Sequence, residues 1–347
     1  MNRLSNPQKL TLAAAAGCGA AWLASRLARA QRAIDFADRV VVVTGGSRGL
    51  GLVIARQLVD EGAHVVLLAR DMGELDRARA DLESRGRGSV TTYRCDVRRR
   101  GDVRATVAAV LQHFRGIDVL VNNAGVIQVG PLEHMTEEDF ENAMATHFWG
   151  ALHLILEVLP TMRHRAFGRI VNISSIGGKV AVPHLAPYCA SKFALTGLSD
   201  SIRAELDRYG VRVTTVAPGL MRTGSPINAQ FKGRHDEEFT WFKVASSVPG
   251  LTIGAERAAA RILDACRHGD PELTITPQAA LLAVGNMVAP AAVARAMMIA
   301  TRMLPGASAD AEGNEIRKGR DTAAAARWTP SVVTSLTDHA AAANNEN

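Results

Sequence analysis

Residues 40–58 read Val-Val-Val-Val-Thr-Gly-Gly-Ser-Arg-Gly-Leu-Gly-Leu-Val-Ile-Ala-Arg-Gln-Leu. The β-branched run Val40–Thr44 favours an extended strand. The glycines that follow permit positive φ and let the backbone approach a ligand closely. Leu50, Ile54 and Leu58 then recur at helical spacing. A strand that leaves through a glycine turn into a helix presents free N–H groups and the positive end of the helix dipole, which suits a pyrophosphate. The candidate phosphate-binding residues are therefore Thr44, Gly45, Ser47, Arg48, Gly49, Leu50 and Gly51. The glycines fall at 45, 49 and 51, not at the G-x-G-x-x-G spacing, and glycines alone can mark a bare tight turn. The strand–turn–helix setting carries the binding reading.

Outward from this turn the theme repeats. Short apolar runs at His64–Ala69, Val90–Arg94, Ile117–Val121, Arg169–Ser174 and Val211–Ala217 are separated by segments with helical spacing. Continuous apolar runs of this kind belong to a parallel sheet buried on both faces. Right-handed crossovers then give an α/β fold, a doubly wound parallel sheet with helices on both faces. Ligands of such sheets bind outside the carboxyl ends of the strands.

The chain has 347 residues, 47% of them hydrophobic and 21% charged, which excludes a disordered, collagen-like or disulfide-stapled chain. Length alone suggests about two domains, but the alternation assigns residues 37–276 to one main domain. Lys and Arg number 40 against 34 Asp and Glu, a net charge of +6. That excess is too small to require nucleic acid, and the arginines, Arg98-Arg99-Arg100 included, lack interleaved aromatics. Cys18, Cys95, Cys189 and Cys266 form no CxxC and no metal-type cluster. They read as free thiols of a reduced, cytoplasmic compartment, with no metal site.

Residues 1–36 contain an uncharged run, Leu10–Ser25, flanked by Arg3 and Lys9 before it and by Arg26, Arg29 and Arg32 after it. It is short for a spanning helix. A signal h-region, a short membrane anchor on the cytoplasmic face and a plain N-terminal helix compete for it. Residues 277–305 read as a C-terminal helical extension packing on the core, with a greasy flap against membrane or lipid substrate as the alternative. Residues 306–347 read as a flexible tail.

The second run ends Leu68-Ala69-Arg70-Asp71. Ala69 stands where an NAD site commonly has an acid that binds the ribose. Arg48 and Arg70 suit a 2′-phosphate, so NADP(H) is expected ahead of NAD(H). The alternative leaves Arg70 solvated and gives the ribose to Asp71. Further along, Tyr188 and Lys192 are four apart and share a helix face. An ammonium beside a phenol stabilises phenolate. Ser175 closes the strand segment 171–175, at the edge where ligands sit.

Together these features resemble the short-chain dehydrogenase/reductase family, in its TGxxxGxG branch, over about residues 38–276. The motifs are Thr44–Gly51, Asp96, Asn122-Asn123-Ala124-Gly125, Ser175, Tyr188, Lys192, and Pro218-Gly219 followed by Thr223. The resemblance implies a Rossmann fold and a dinucleotide-dependent enzyme acting on alcohol and carbonyl groups. It makes Tyr188 the acid/base, Ser175 the group that steadies the substrate oxygen, and Lys192 the cation that lowers the tyrosine pKa and binds the nicotinamide ribose. It places Asp96 and Val97 at the adenine, Asn122 under the ribose with Ala124 and Gly125 beside it, and Pro218, Gly219 and Thr223 at the nicotinamide. The family also carries a catalytic Asn, in whose place this chain has His147, within Thr146-His147-Phe148-Trp149-Gly150. An imidazole there would hold a water and carry a proton, or would mark a weakened relay.

Ile176–Pro187, with His184 and Leu185, and Leu220–Leu251, with Phe231, Phe239, Trp241 and Phe242, would shape the substrate site. The aromatics would close over a neutral, hydrophobic carbonyl or alcohol, or form a packed core under a loop; Lys232 to Glu238 read as partly solvated. The competing function is a dinucleotide-binding scaffold or sensor without turnover. A homodimer or homotetramer through helices at about 138–163 and 187–208, and a membrane-surface contact through 10–25, complete the expected partners.

Overall fold

The structure is a computed structural model that describes residues 6–248, 252–322 and 334–346, apart from the side chains of 6–18 and of Leu336. The end of the Leu220–Leu251 loop and the Cys18 thiol lie outside that description, as do most side chains of the 10–25 run.

Seven parallel strands form the central sheet: β1 (Val40–Thr44), β2 (His64–Ala69), β3 (Ser89–Arg94), β4 (Val119–Asn122), β5 (Gly168–Ile173), β6 (Val211–Ala217) and β7 (Glu272–Thr274). Their spatial order is β7-β6-β5-β4-β1-β2-β3. The chain order reverses between β1 and β4, where Val41 pairs with Val119. The doubly wound α/β fold is thus present, and its switch point opens at the carboxyl ends of β1 and β4. Strands β1, β4 and β5 are buried throughout, as their continuous apolar runs require. The edge strand β3 is half-exposed and correspondingly polar. The opposite edge, β7, is the strand that the hydrophobic pattern did not announce. It is only three residues long and only half-buried.

Two apolar layers fill the faces. On one, α2 (Gly49–Asp60), α3 (Met72–Glu83) and α9 (Ala255–His268) pack residues such as Leu58, Leu75 and Ile262 against Val41 and Val43. On the other, α4 (Arg100–Phe114), α6 (Gly150–His164) and α7 (Ala186–Asp207) pack Val107, Leu154 and Leu206 against Val42 and Leu120. Between them in sequence, α5 (Glu137–Met144) runs into α6 through one wide turn, Ala145–Trp149. Such a turn carries an extra residue and is common where a side chain must be aimed at a site.

The aromatics of the substrate loop do not close over a ligand. Phe231, Phe239 and Phe242 are buried and pack with Val129 and Leu185 as a satellite core that includes α8 (His235–Ala245). That segment is partly solvated, as expected: Arg234, Asp236 and Glu237 are exposed, while Lys232, His235 and Glu238 are buried. Lys232 forms an ion pair with Asp139 at 2.5 Å, both buried. Glu238 is fully buried between the His184 ring and the Trp241 indole N–H. Burying these charges demands partners, and each has one.

The helix α1 (Asn6–Gln31) leaves Trp22, Leu23 and Leu27 exposed and is moored by Arg29 to Asp264 and Asp270. Among the described residues no helix is long and apolar enough to cross a membrane. In α10 (Pro277–Val288) only Ala279 is buried, and in α11 (Pro290–Thr301) no residue is. These two helices therefore stand off the core instead of packing on it. Their Leu281, Met287, Val288 and Met298 face outward.

Beyond residue 306 a flexible tail was the expectation, but the described part is anchored. Arg317-Lys318 adds a short antiparallel strand to Gln230-Phe231. His134 accepts the Ser308 N–H at 2.9 Å. Helix α12 (Ser335–Ala343) is held by a Lys243–Asp338 ion pair at 2.8 Å and by Ala341, which is fully buried. Small alanines let this helix pack closely although the segment has little apolar periodicity.

Candidate active site

A cavity of about 570 Å³ lies outside the carboxyl ends of the strands. Gly45, Ser47, Arg48, Gly49, Leu50, Arg70, Asp96, Val97, Ala124, Gly125, His147, Ser175, Tyr188, Lys192, Pro218, Gly219 and Thr223 all border it. Eight separate segments of sequence, from residue 45 to residue 223, thus converge on one space, of a size that takes an extended cofactor.

Three expected residues stay behind its wall. The Thr44 hydroxyl accepts the N–H groups of Asn123 and Ala124, each at 2.9 Å, and so joins β1 to the loop after β4. Gly51 has no space for a side chain, because a Cβ would strike the Gly45 carbonyl. Asn122 is the last residue of β4 and donates to Asn172 at 2.8 Å; Asn172 in turn donates to Ser199 at 2.7 Å. It ties strands to α7 inside the sheet layer. Its neighbour Asn123 reaches the cavity instead and donates to the carbonyls of Thr44 and Gly45. Alternation along a strand explains the swap: successive side chains point to opposite sides.

At one end of the cavity stand the acid/base candidates. Burial pushes the Tyr188 phenol up to about 12, and the Ser175 hydroxyl beside it pulls the other way. The Ser175 hydroxyl accepts the Gly177 N–H at 3.0 Å, which fixes its position. Lys192 is buried; its Nζ donates to the Ile173 carbonyl at 2.8 Å and lies 5.7 Å from the centre of the Tyr188 ring. Burial lowers the Lys192 pKa to about 7. Phenol and ammonium are thus drawn toward their neutral forms, and a charge placed on either acts strongly on the other in this dry setting.

Both ring nitrogens of His147 meet protein groups. Its Nε2 accepts the Val126 N–H at 3.1 Å, and its Nδ1 lies 2.7 Å from the Ser191 hydroxyl. That hydroxyl donates its proton to the Tyr188 carbonyl. Nδ1 must therefore carry the imidazole proton, and the ring is neutral with both nitrogens engaged. Burial, reinforced by Lys192, holds its pKa well below the usual histidine range. In this arrangement His147 pins the loop after β4 to the turn that carries Tyr188.

At the other end, Asp71 caps α3 by accepting the Glu74 N–H at 2.9 Å. That cap engages one carboxylate oxygen, and Asp71 also borders the cavity. Arg70 is exposed at the rim. Asp96 pairs with Arg98 at 2.6 Å, which lowers its pKa. Arg48 is no free cation for a phosphate, because it donates to Glu74 at 2.9 Å and to Asn228 at 2.8 Å.

Sequence reasoning missed Glu74, Asn228, Arg320 and Glu346, all of which border this end. None has a local pattern around it, and each arrives by long-range packing. The turn itself fits a dinucleotide. Gly45 and Gly49 have positive φ (62° and 55°), and a Cβ on Gly45 would come within 3.0 Å of the Ala124 backbone. This is a cradle that side chains would fill.

The comparisons agree with this geometry. The family model described as short chain dehydrogenase matches residues 39–231. An uncharacterized oxidoreductase of Mycobacterium tuberculosis is 34% identical over 283 residues, which is 80% of this chain and 77% of that protein. Among solved structures, a short-chain dehydrogenase from Streptomyces avermitilis is similar with a TM-score of 0.64 and 30% identity, over 76% of this chain and 99% of that one. A metagenomic short-chain oxidoreductase in complex with NADP is 39% identical with a TM-score of 0.52, over 54% of this chain and 84% of that one.

Proposed function

On the premise that the chain belongs to the short-chain dehydrogenase family, we propose that it is an NADP(H)-dependent oxidoreductase that interconverts a carbonyl and an alcohol on a neutral, hydrophobic small molecule. The observation that carries this reading is the convergence of Ser175, Tyr188 and the buried Lys192, whose Nζ lies 5.7 Å from the centre of the Tyr188 ring, on one dinucleotide-sized cavity. When bound, the nicotinamide supplies or accepts the hydride. The chain's own groups handle the oxygen and its proton. Tyr188 donates its phenolic proton to the substrate oxygen as negative charge grows there, and the Ser175 hydroxyl donates a hydrogen bond to the same atom. Lys192, when protonated, makes the resulting phenolate affordable in a site that otherwise disfavours it. Val126, Ile127 and Met221 border the cavity and supply an apolar wall for the substrate.

The preference for NADP(H) rests on Arg70 at the rim, on Asp71 being engaged as a helix cap, and on the NADP complex of a similar protein. The test is to follow oxidation of NADPH and of NADH with a panel of ketones, aldehydes and sterols. Turnover with NADPH well ahead of NADH is expected, and Arg70→Ala should cost about tenfold in NADPH binding while sparing NADH. Equal use of both cofactors overturns the preference. NADPH binding without turnover on any carbonyl favours the scaffold reading, for which the chain's own occupation of the phosphate end is the one structural observation.

A further inference from the structure

The glycine turn is filled by residues of the same chain. The Gly49 N–H, the first helical donor of α2, is taken by the Asn344 carbonyl at 2.9 Å. The Asn345 side chain donates to the Ser47 and Glu74 carbonyls at 2.9 and 3.2 Å and accepts from Arg77 at 2.8 Å. Arg56 holds the Asn344 side chain and the Ala343 carbonyl at 2.7 and 2.8 Å. The Glu346 carboxylate lies against Gly49, where a Cβ would collide with it, and accepts from Asn228 at 2.8 Å. Asn344 and Glu346 are both at least nine-tenths buried. A carboxyl group and a backbone carbonyl therefore sit where the helix dipole and the free N–H groups favour a phosphate.

Resting on the cofactor reading above, we propose that residues 334–346 are a built-in competitor for the phosphate end of the cofactor pocket, with Glu346 in the position of a phosphate. Docking of this segment and binding of a dinucleotide then exclude each other. The segment sets the apparent affinity, because only the undocked fraction is competent to bind. Leaving would release the Gly49 N–H and the Asn228 side-chain amide for the incoming anion. The Lys243–Asp338 pair and the packing of Ala341 on Gly224 do not involve the glycine turn. The last residues of the segment can therefore peel off while its helix stays moored.

The competition carries a pH dependence. Glu346 faces Asn228, Arg48 and Arg320, which favour the carboxylate, and Glu74, which does not; burial prevails and raises its pKa to about 7. A docked carboxyl with a raised pKa keeps its proton where an undocked one has lost it. Docking is therefore fully supported below the free carboxyl pKa and weakens as pH rises through about 7, by up to about tenfold per unit in that window.

The test titrates the full chain with NADPH and with inorganic pyrophosphate while amide hydrogen exchange is followed in residues 344–346. Saturating NADPH should speed that exchange by at least about tenfold. Glu346→Ala should tighten both ligands about fivefold or more at pH 6. Glu346→Gln, a neutral isostere that stays docked, should flatten the pH dependence of binding between pH 5 and 8. Unchanged or slowed exchange under bound NADPH overturns the proposal, and so does equal affinity in wild type and Glu346→Ala. If neither form binds a dinucleotide, the cofactor reading falls together with it. Equal, tight binding overturns the competitor alone.

Discussion

The two ends of the cavity are built on opposite plans. The end at Ser175, Tyr188 and Lys192 is assembled from the sheet edge and one face of α7, and its contacts lie within residues 173–192. The end at Gly45–Gly51 is completed by groups that are far away in sequence, Asn228, Arg320 and residues 344–346. On the reading proposed above, one end has its chemical groups in place, while the other exchanges partners before it holds a cofactor. The difference separates two quantities that activity assays merge: turnover belongs to the first end and access to the second.

The largest expected effect breaks the comparison at the chemical end. Tyr188→Phe should lower turnover by about a thousandfold, while NADPH affinity and exchange in residues 344–346 change by less than about twofold. Fluorescence titration beside steady-state rates checks both halves, and surviving activity would place the proton donor elsewhere. At the phosphate end the pattern should invert. Gly45 has φ of 62°, so Gly45→Ala costs about 1–2 kcal/mol of backbone strain and crowds Ala124. Thermal unfolding should register that loss. Dinucleotide binding should weaken about tenfold, and the rate at saturating cofactor should remain near wild type.

The smallest effect concerns the latch between the ends. His147 is held neutral, with its pKa below that of an unfolded histidine. As pH falls through about 6.5 the unfolded chain takes the proton first, so the folded state loses stability. The loss reaches at most about 2 kcal/mol at pH 5. In His147→Asn that slope of Tm against pH should vanish, with turnover at pH 7 changed by less than about threefold. A shift of the turnover pH profile instead would assign a proton-carrying role to this residue.

How much of this was legible follows from how local each feature is. The valines of β1 and the apolar runs of β2, β4, β5 and β6 announce themselves because both of their faces are buried. β7 does not, being a short edge strand whose burial comes from tertiary packing. Tyr188, Lys192 and Ser175 could be placed because helical periodicity and strand ends are short-range rules. Asn122 and Asn123 could not be told apart, since one residue of strand parity decides which of them faces the cavity. The Phe231 cluster follows composition toward either a lid or a core, and only the packing against Val129 and Leu185 decides. Glu346 against Gly49 had no local signal at all, because the pairing spans nearly the whole chain.

That separation in sequence has a temporal side. A chain made from its amino end at about 5–20 residues per second exposes the turn at Gly49 roughly 15–60 seconds before Glu346 exists. During that interval the nascent sheet meets the dinucleotides of its surroundings with no internal rival. The order of synthesis thus favours a first occupant from solution, and the chain's own segment arrives second.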